Sequence, residues 1–239
     1  MPAFPPGKLL DFVSNFRPEN PNQKDALLDF EKSVRDADSE LLTDEAKWVR
    51  KFRTPMNKNI LLKVPYFSQR DNYRDAYRTC FSSSCAMLLE AMKPGTLPGS
   101  RGDDKYVREV FKSGDTTDAH IQIQTLKAFG LPAKFVTNGT FSLLDSQLSK
   151  GIPVPIGILH KGPASRPSGG GHWLIVIGKE LDPKAPGGCW YIVHDPWGEI
   201  DHASGTYPKI DGKTKKYSKN LLDSRWTVDG ENDGWAIIS

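Results

Sequence analysis

Cysteine is scarce in this chain, with 3 in 239 residues, an odd number. That argues against a disulfide framework of the kind small secreted domains use to supplement a thin core. It argues equally against structural zinc. Cys80 and Cys85 lack close-pair ligand spacing, and the five histidines are scattered along the chain. No cofactor and no metal are expected. An excess of one charge is also missing: 32 Lys+Arg against 29 Asp+Glu leaves +3, too little to mark a nucleic-acid or membrane-surface partner. The short basic run Lys213, Lys215 and Lys216 lies in a turn-rich stretch and reads as a solvated loop.

Long apolar runs are absent as well, and no window reaches the length needed to span a bilayer. The opening Met1-Pro2-Ala3-Phe4-Pro5-Pro6-Gly7 lacks the basic region and apolar core of a secretory signal. The expectation is synthesis in the cytoplasm, with any outside target reached by a route other than a Sec-type leader. No internal repeat is evident. With 38% hydrophobic and 26% charged residues the composition is that of an ordinary soluble domain. The length suffices for one well-filled domain plus a small appendage.

Residues 1–55 read as that appendage. Ala26, Leu27, Phe30 and Val34 recur at helical spacing. A second amphipathic run, from Leu41 to Phe52, has Thr43-Asp44 as a cap and ends before Pro55. Two such helices make a module for covering a groove or docking a protein partner.

From residue 56 to 239 the pattern is different. Ile60 to Phe67 reads as a strand, followed by a polar turn, and Cys80 to Met92 as a helix stopped by Pro94-Gly95. Helices are expected over Val107–Lys112, Ala119–Phe129 and Leu143–Leu148. Strands are expected over Ala133–Thr137, Val154–Leu159, His172–Ile177, Trp190–His194 and Trp235–Ile238, with a helix over Tyr217–Trp226. Helices first and antiparallel strands later is the α+β arrangement.

Cys80 opens its helix, where unpaired backbone N–H groups and the positive end of the macrodipole favour a thiolate. Ser82, Ser83 and Ser84 suit a first turn. Cys85 lies about 140° further round the helix and reads as a small buried hydrophobe, and Cys189 as an incidental loop residue. If the runs 172–177 and 190–195 form a hairpin, pairing Ile177 with Trp190 places His172 opposite Asp195. Opposed side chains share a face and can touch. A carboxylate beside an imidazole fixes its tautomer and stabilises the imidazolium. His194 should point the other way. His120, His160 and His202 have no carboxylate placed opposite them and read as surface or structural residues.

Four motifs in order resemble the C39-like branch of the papain-type cysteine peptidases: Val64-Pro65-Tyr66-Phe67-Ser68-Gln69, Cys80 with Met87, Gly171-His172-Trp173, and Asp195-Pro196-Trp197-Gly198. The resemblance covers residues from about 60 onward. It implies a papain-like fold, in which a helix bearing the cysteine packs on an antiparallel sheet bearing His and Asp. It also implies Cys80 as nucleophile, His172 as general base, Asp195 as its orienting partner, and Gln69 as an oxyanion-hole donor beside the Cys80 N–H. Phe81-Ser82 depart from the family's usual Gly after the cysteine. The implied activity is hydrolysis of peptide bonds. The form resembles phage endolysins or virion-associated enzymes that cut peptidoglycan and reach the cell wall through a holin or in a virion. A protease with a protein substrate, and a binding or structural module of a larger assembly, are the alternative readings.

Overall fold

A computed structural model of the protein describes residues 59–201, 203–230 and 232–239. The two helices expected within residues 1–55 lie outside the described residues, as do the appendage boundary and His202.

After β1 (Ile60–Leu61), two single 3-10 turns at Gln69–Asp71 and Ala76–Arg78 lead into α1 (Cys80–Met92). Then come α2 (Asp103–Ser113), α3 (Ala119–Ala128), β2 (Lys134–Gly139), α4 (Phe141–Ser149), β3 (Val154–Lys161), β4 (Ser168–Leu181) and β5 (Cys189–His194). The chain finishes with β6 (Glu199–Asp201), β7 (Thr206–Lys209), β8 (Lys215–Ser218), α5 (Lys219–Trp226) and β9 (Gly234–Ile238). Local chemistry sets most helix starts. Asp118, Thr140 and Ser218 each accept from first-turn N–H groups of the helix that follows, the N-cap bond that offsets unpaired donors. Asp103 and Asp104 in the first turn of α2 complement its positive end.

All strand pairings are antiparallel, and the main sheet runs β2-β9-β3-β4-β5-β8 with β1 beside β4. β6 and β7 form a separate two-stranded ribbon. Strand alternation divides the core in two. On one face Trp173, Ile175, Ile177, Ile192 and Ile237 pack with Phe81, Cys85, Met87, Leu88 and Leu89 of α1. On the other face Ile156, Leu174, Val176, Tyr191 and Val193 pack with Leu144 and Leu148 of α4 and Leu221 and Trp226 of α5. Each such large side chain, taken fully out of water, contributes about 1.5–3 kcal/mol. The fold is α+β, with the cysteine-bearing helix packed on an antiparallel sheet. No helix of the described residues is long and apolar enough to cross a membrane.

Four expectations need correction. The strand expected over 60–67 pairs with β4 only at its start, through Ile60–Leu61 and the Leu62 N–H that donates to Ile177 O. Pro65 has no N–H to give a ladder, and the Val64 carbonyl accepts from a histidine side chain instead. Tyr217 belongs to β8, opposite Tyr191, and helix α5 begins only after the Ser218 cap. Cys189 is no loop residue: it opens β5, buried, opposite Leu181. The hairpin register also differs. Trp190 faces Glu180 rather than Ile177, because β4 runs on to Leu181 and a bulge lies between Val176 and Gly178. An extra residue in one strand shifts every pairing beyond it.

Candidate active site

The site begins where α1 begins. Cys80 is the first residue of the helix, and Thr79 before it gives no side-chain capping bond. The Thr79 hydroxyl is turned away, donating to the Ala76 carbonyl at 3.3 Å and accepting from Asn72 Nδ2 at 2.8 Å. First-turn N–H groups without a cap are available donors. The helix is seated by a ring stack: Phe81 lies on Trp173 with centroids 3.6 Å apart and planes 3° from parallel. Such contacts add about 0.5–1.5 kcal/mol beyond burial. Phe81 therefore locks α1 to β4, which accounts for a large ring where the resembled family carries glycine.

His172 and Asp195 meet. Nε2 of His172 lies 2.7 Å from Asp195 Oδ1, with both groups buried. Their encounter does not use direct cross-strand opposition, since the Cα partner of His172 is Ile158 on β3. The ladder between β4 and β5 ends at Ile175 opposite His194, so His172 and Asp195 lie just beyond it. There the register is two residues away from the expected one. A slip of one would have parted them, whereas a slip of two keeps side chains on the same face.

Asp195 is itself held. Its Oδ1 accepts from Trp197 N–H at 2.9 Å, its backbone N–H donates to Gly212 O, and its carbonyl accepts from the Tyr66 hydroxyl. A Cβ at Gly212 would lie 1.9 Å from the Asp195 carbonyl oxygen, so only glycine permits this approach.

The Cys80 sulfur is within hydrogen-bonding reach of the His172 ring. With Nε2 on the carboxylate, Nδ1 is the nitrogen left for it. Burial by itself drives the imidazole down. The Asp195 charge and hydrogen bond, followed by Cys80, outweigh that effect and push His172 up to about 10. The ring is thus an imidazolium at neutral pH.

Gln69 sits on the 3-10 turn ahead of α1, 1% exposed. Its backbone N–H donates to Pro196 O at 3.0 Å, which ties it to the segment bearing Asp195. Its Nε2 donates to Ala76 O at 2.8 Å, and Oε1 has no partner among the described residues. The carbonyl acceptor fixes the amide's orientation, and an amide nitrogen carries a second hydrogen to offer.

Gln69, Cys80 and His172 line one cavity of about 690 Å³ with Tyr77, Trp197 and Trp235. Besides His172, the charged residues lining it are Arg78 and Lys161. Two further residues, which the sequence did not single out for the site, crowd the histidine. The His160 ring is 5.4 Å from His172 and the Tyr207 ring stands edge-on to it at 5.7 Å. Burial, then the charge of His172, pushes His160 down to about 4, so it is neutral. The signal for His160 was available in principle: it lies two residues beyond Ile158, which faces His172, and a strand repeats its face every second residue. Tyr207 comes from the short β6–β7 ribbon and left no such signal.

The other candidates fall elsewhere. His194 points away, with Nε2 against Val64 O and Nδ1 accepting from Thr214 N–H. His120 lies exposed in the first turn of α3. Cys85 is fully buried in the α1 core, and burial pushes its thiol well up.

No protein-family model matches the sequence, and no curated protein matches it. Among solved structures, one match is a double glycine motif protease from an AMS/PCAT transporter, in complex with the leader peptide. The identity is 16% and the TM-score 0.42, over 75% of this chain and 95% of that one.

Proposed function

We propose that the protein is a cysteine peptidase of the C39-like, papain-type kind, with Cys80 as nucleophile, His172 as acid and base, Asp195 as its orienting partner and Gln69 as oxyanion donor. The observation that carries this reading is the convergence of all four: a cysteine at a capless helix start, an imidazole held by a buried carboxylate, and a buried amide at the head of the same cavity.

In the reaction, the Cys80 sulfur adds to the scissile carbonyl carbon. The developing oxyanion takes hydrogen bonds from the Cys80 N–H and the Gln69 amide. The C–N bond breaks as His172 gives its proton to the leaving amine, and a thioester remains on Cys80. Water then attacks the thioester carbon while His172 takes its proton. The C–S bond breaks, the acid product leaves, and the sulfur–imidazolium pair is restored.

For the substrate we propose the peptide cross-links of peptidoglycan, reached from the cytoplasm through a holin or carried in a virion. Lys161, and Arg78 beyond its ion pair with Asp115, stand among aromatic walls and suit a peptide that carries carboxylates, as the stem peptides of cell walls do. Incubation with purified peptidoglycan, with mass analysis of what is released, tests both levels. Release of a new amine by the wild-type chain and none by Cys80→Ala is the expected result. Equal release by the two overturns the assignment of Cys80. Release from a denatured protein but not from peptidoglycan moves the substrate to polypeptides in general. No release from either moves the chain to a binding module.

A further inference from the structure

The four site residues leave a second set of buried polar groups unexplained. Asn72, Thr79, Ser83 and Asp103 are all buried, and they form a continuous chain of hydrogen bonds. Ser83 Oγ donates to Asp103 Oδ2 at 2.7 Å, and Asn72 Nδ2 donates to Ser83 Oγ at 3.0 Å and to Thr79 Oγ1 at 2.8 Å. Thr79 Oγ1 donates onward to Ala76 O, the same carbonyl that holds Gln69 Nε2. The backbone closes the loop, since Asn72 N–H donates to Gln69 O at 3.2 Å.

One consequence bears on where an oxyanion would sit. The chain fixes the acceptor that orients the Gln69 amide, because Thr79 donates to the same Ala76 carbonyl. We infer that Asn72 and Ser83, anchored on Asp103, are positioning residues that build the oxyanion hole, by aiming the Gln69 amide. This inference rests on the peptidase reading above. Asp103 is held with its carboxyl pushed up to about 7, chiefly by burial, so the anchor of this network is a group that water does not reach.

A neighbouring network supplies the control. Ser82, also on the first turn of α1 and also fully buried, bonds Thr116 Oγ1 at 2.7 Å and Gln122 Nε2 at 2.8 Å. It has no link to Asn72 or Gln69.

The experiment uses the full chain with N-benzyloxycarbonylglycine p-nitrophenyl ester as substrate, a peptidyl glycinal as reversible inhibitor, and iodoacetamide as a probe of Cys80. The aldehyde forms a tetrahedral adduct whose oxygen occupies the oxyanion hole, whereas alkylation by iodoacetamide forms no oxyanion. Asn72→Ala and Ser83→Ala should each lower kcat about 10- to 100-fold, a fraction of what removal of a donor itself does, with KM changed less than about twofold. Aldehyde affinity should fall in parallel while the alkylation rate of Cys80 stays at the wild-type value. Ser82→Ala, equally buried, should keep kcat and aldehyde affinity. If Ser82→Ala loses as much as Ser83→Ala, or if aldehyde affinity is unmoved in Asn72→Ala, the inference is overturned and the network is merely structural. A wild-type chain that hydrolyses no ester overturns the peptidase reading, and this inference with it. Wild-type hydrolysis with unaltered Asn72→Ala overturns this inference alone.

Discussion

Replacing Asp195 by Asn tests the electrostatic heart of the site with a change of one atom type. The carboxylate Oδ1 accepts both from His172 Nε2, at 2.7 Å, and from Trp197 N–H, at 2.9 Å. An amide can keep its oxygen at that position and accept from both, with its NH2 where Oδ2 faces the Tyr217 hydroxyl, but it carries no charge. His172 stands at about 10 against an ordinary 6.5. That rise is worth on the order of 5 kcal/mol in proton binding, at 1.36 kcal/mol per unit. Burial works against the rise, and Asp195 supplies the larger part of what overcomes it, with Cys80 behind. Asp195→Asn should therefore drop the His172 titration by at least about two units.

Two assays read this without any substrate. Labelled-histidine NMR, with His172 assigned through a His172→Gln variant, follows the ring directly. Thermal unfolding against pH follows the linkage. Because the folded-state value is raised, the stability His172 contributes is fully present below about 6.5 and is lost as pH rises through about 10. The wild-type chain should lose stability across that window through this group, and the variant should lose much less. A His172 that still titrates near 10 in Asp195→Asn refutes the reasoning, because the charge partner would then not be what holds the proton.

Two further outcomes follow from the same coordinates. Asp103 rises from 3.8 to about 7. The folded state then binds the proton more tightly, and the stability so gained is full below about 4 and lost between there and about 7. Asp103→Asn should narrow its stability deficit, or turn it into a gain, on going from pH 4 to pH 8, by up to about 4 kcal/mol. Chemical denaturation at the two pH values measures it, and a deficit independent of pH contradicts the assignment. Gly212→Ala should displace Asp195, because the new Cβ would lie 1.9 Å from its carbonyl oxygen. The expected reading is a lowered His172 titration without loss of the far-UV circular dichroism, and an unmoved titration counts against the contact.

What could be read from the sequence follows from the kind of signal each feature leaves. Helix α1 was legible because Cys80 to Leu89 supplies helix formers and Pro94-Gly95 supplies a stop. The meeting of His172 with Asp195 was legible only as a shared face. Strand alternation carries parity but says nothing about a bulge, and Gly178 looks like the start of a turn although it pairs with Ile192 inside the ladder. There the glycine answers to β1, whose Ile60 carbonyl would sit 2.3 Å from a Cβ. Asn72 was not legible at all. Its partners lie 7 and 11 residues ahead, and the carboxyl beyond them is 20 further on. No local period joins such residues. Tyr207 depends on the ribbon β6–β7, whose strands are too short to show alternation.

Two of the three consecutive serines of α1, Ser82 and Ser83, show how the helix start is held. All three are fully buried, although a helix's interior-facing first turn could be filled with apolar side chains at a gain of about 1.5–3 kcal/mol each. Packing of that kind is tolerant, since cores accept rearranged shapes of equal volume. Hydrogen bonds are not, because they weaken steeply as donor and acceptor lose alignment. Ser82 bonds toward α3 through Gln122, while Ser83 bonds toward α2 through Asp103 and toward the Gln69 turn through Asn72. The first turn is thus fixed in rotation from two sides. On the sheet side the Phe81–Trp173 stack sets its distance from the strand that carries His172. A nucleophile must be held to within about 0.5 Å of its working geometry. Directional bonds on two sides and a flat stack on the third provide that redundantly, so that loss of the bonds on one side alone leaves Cys80 in place.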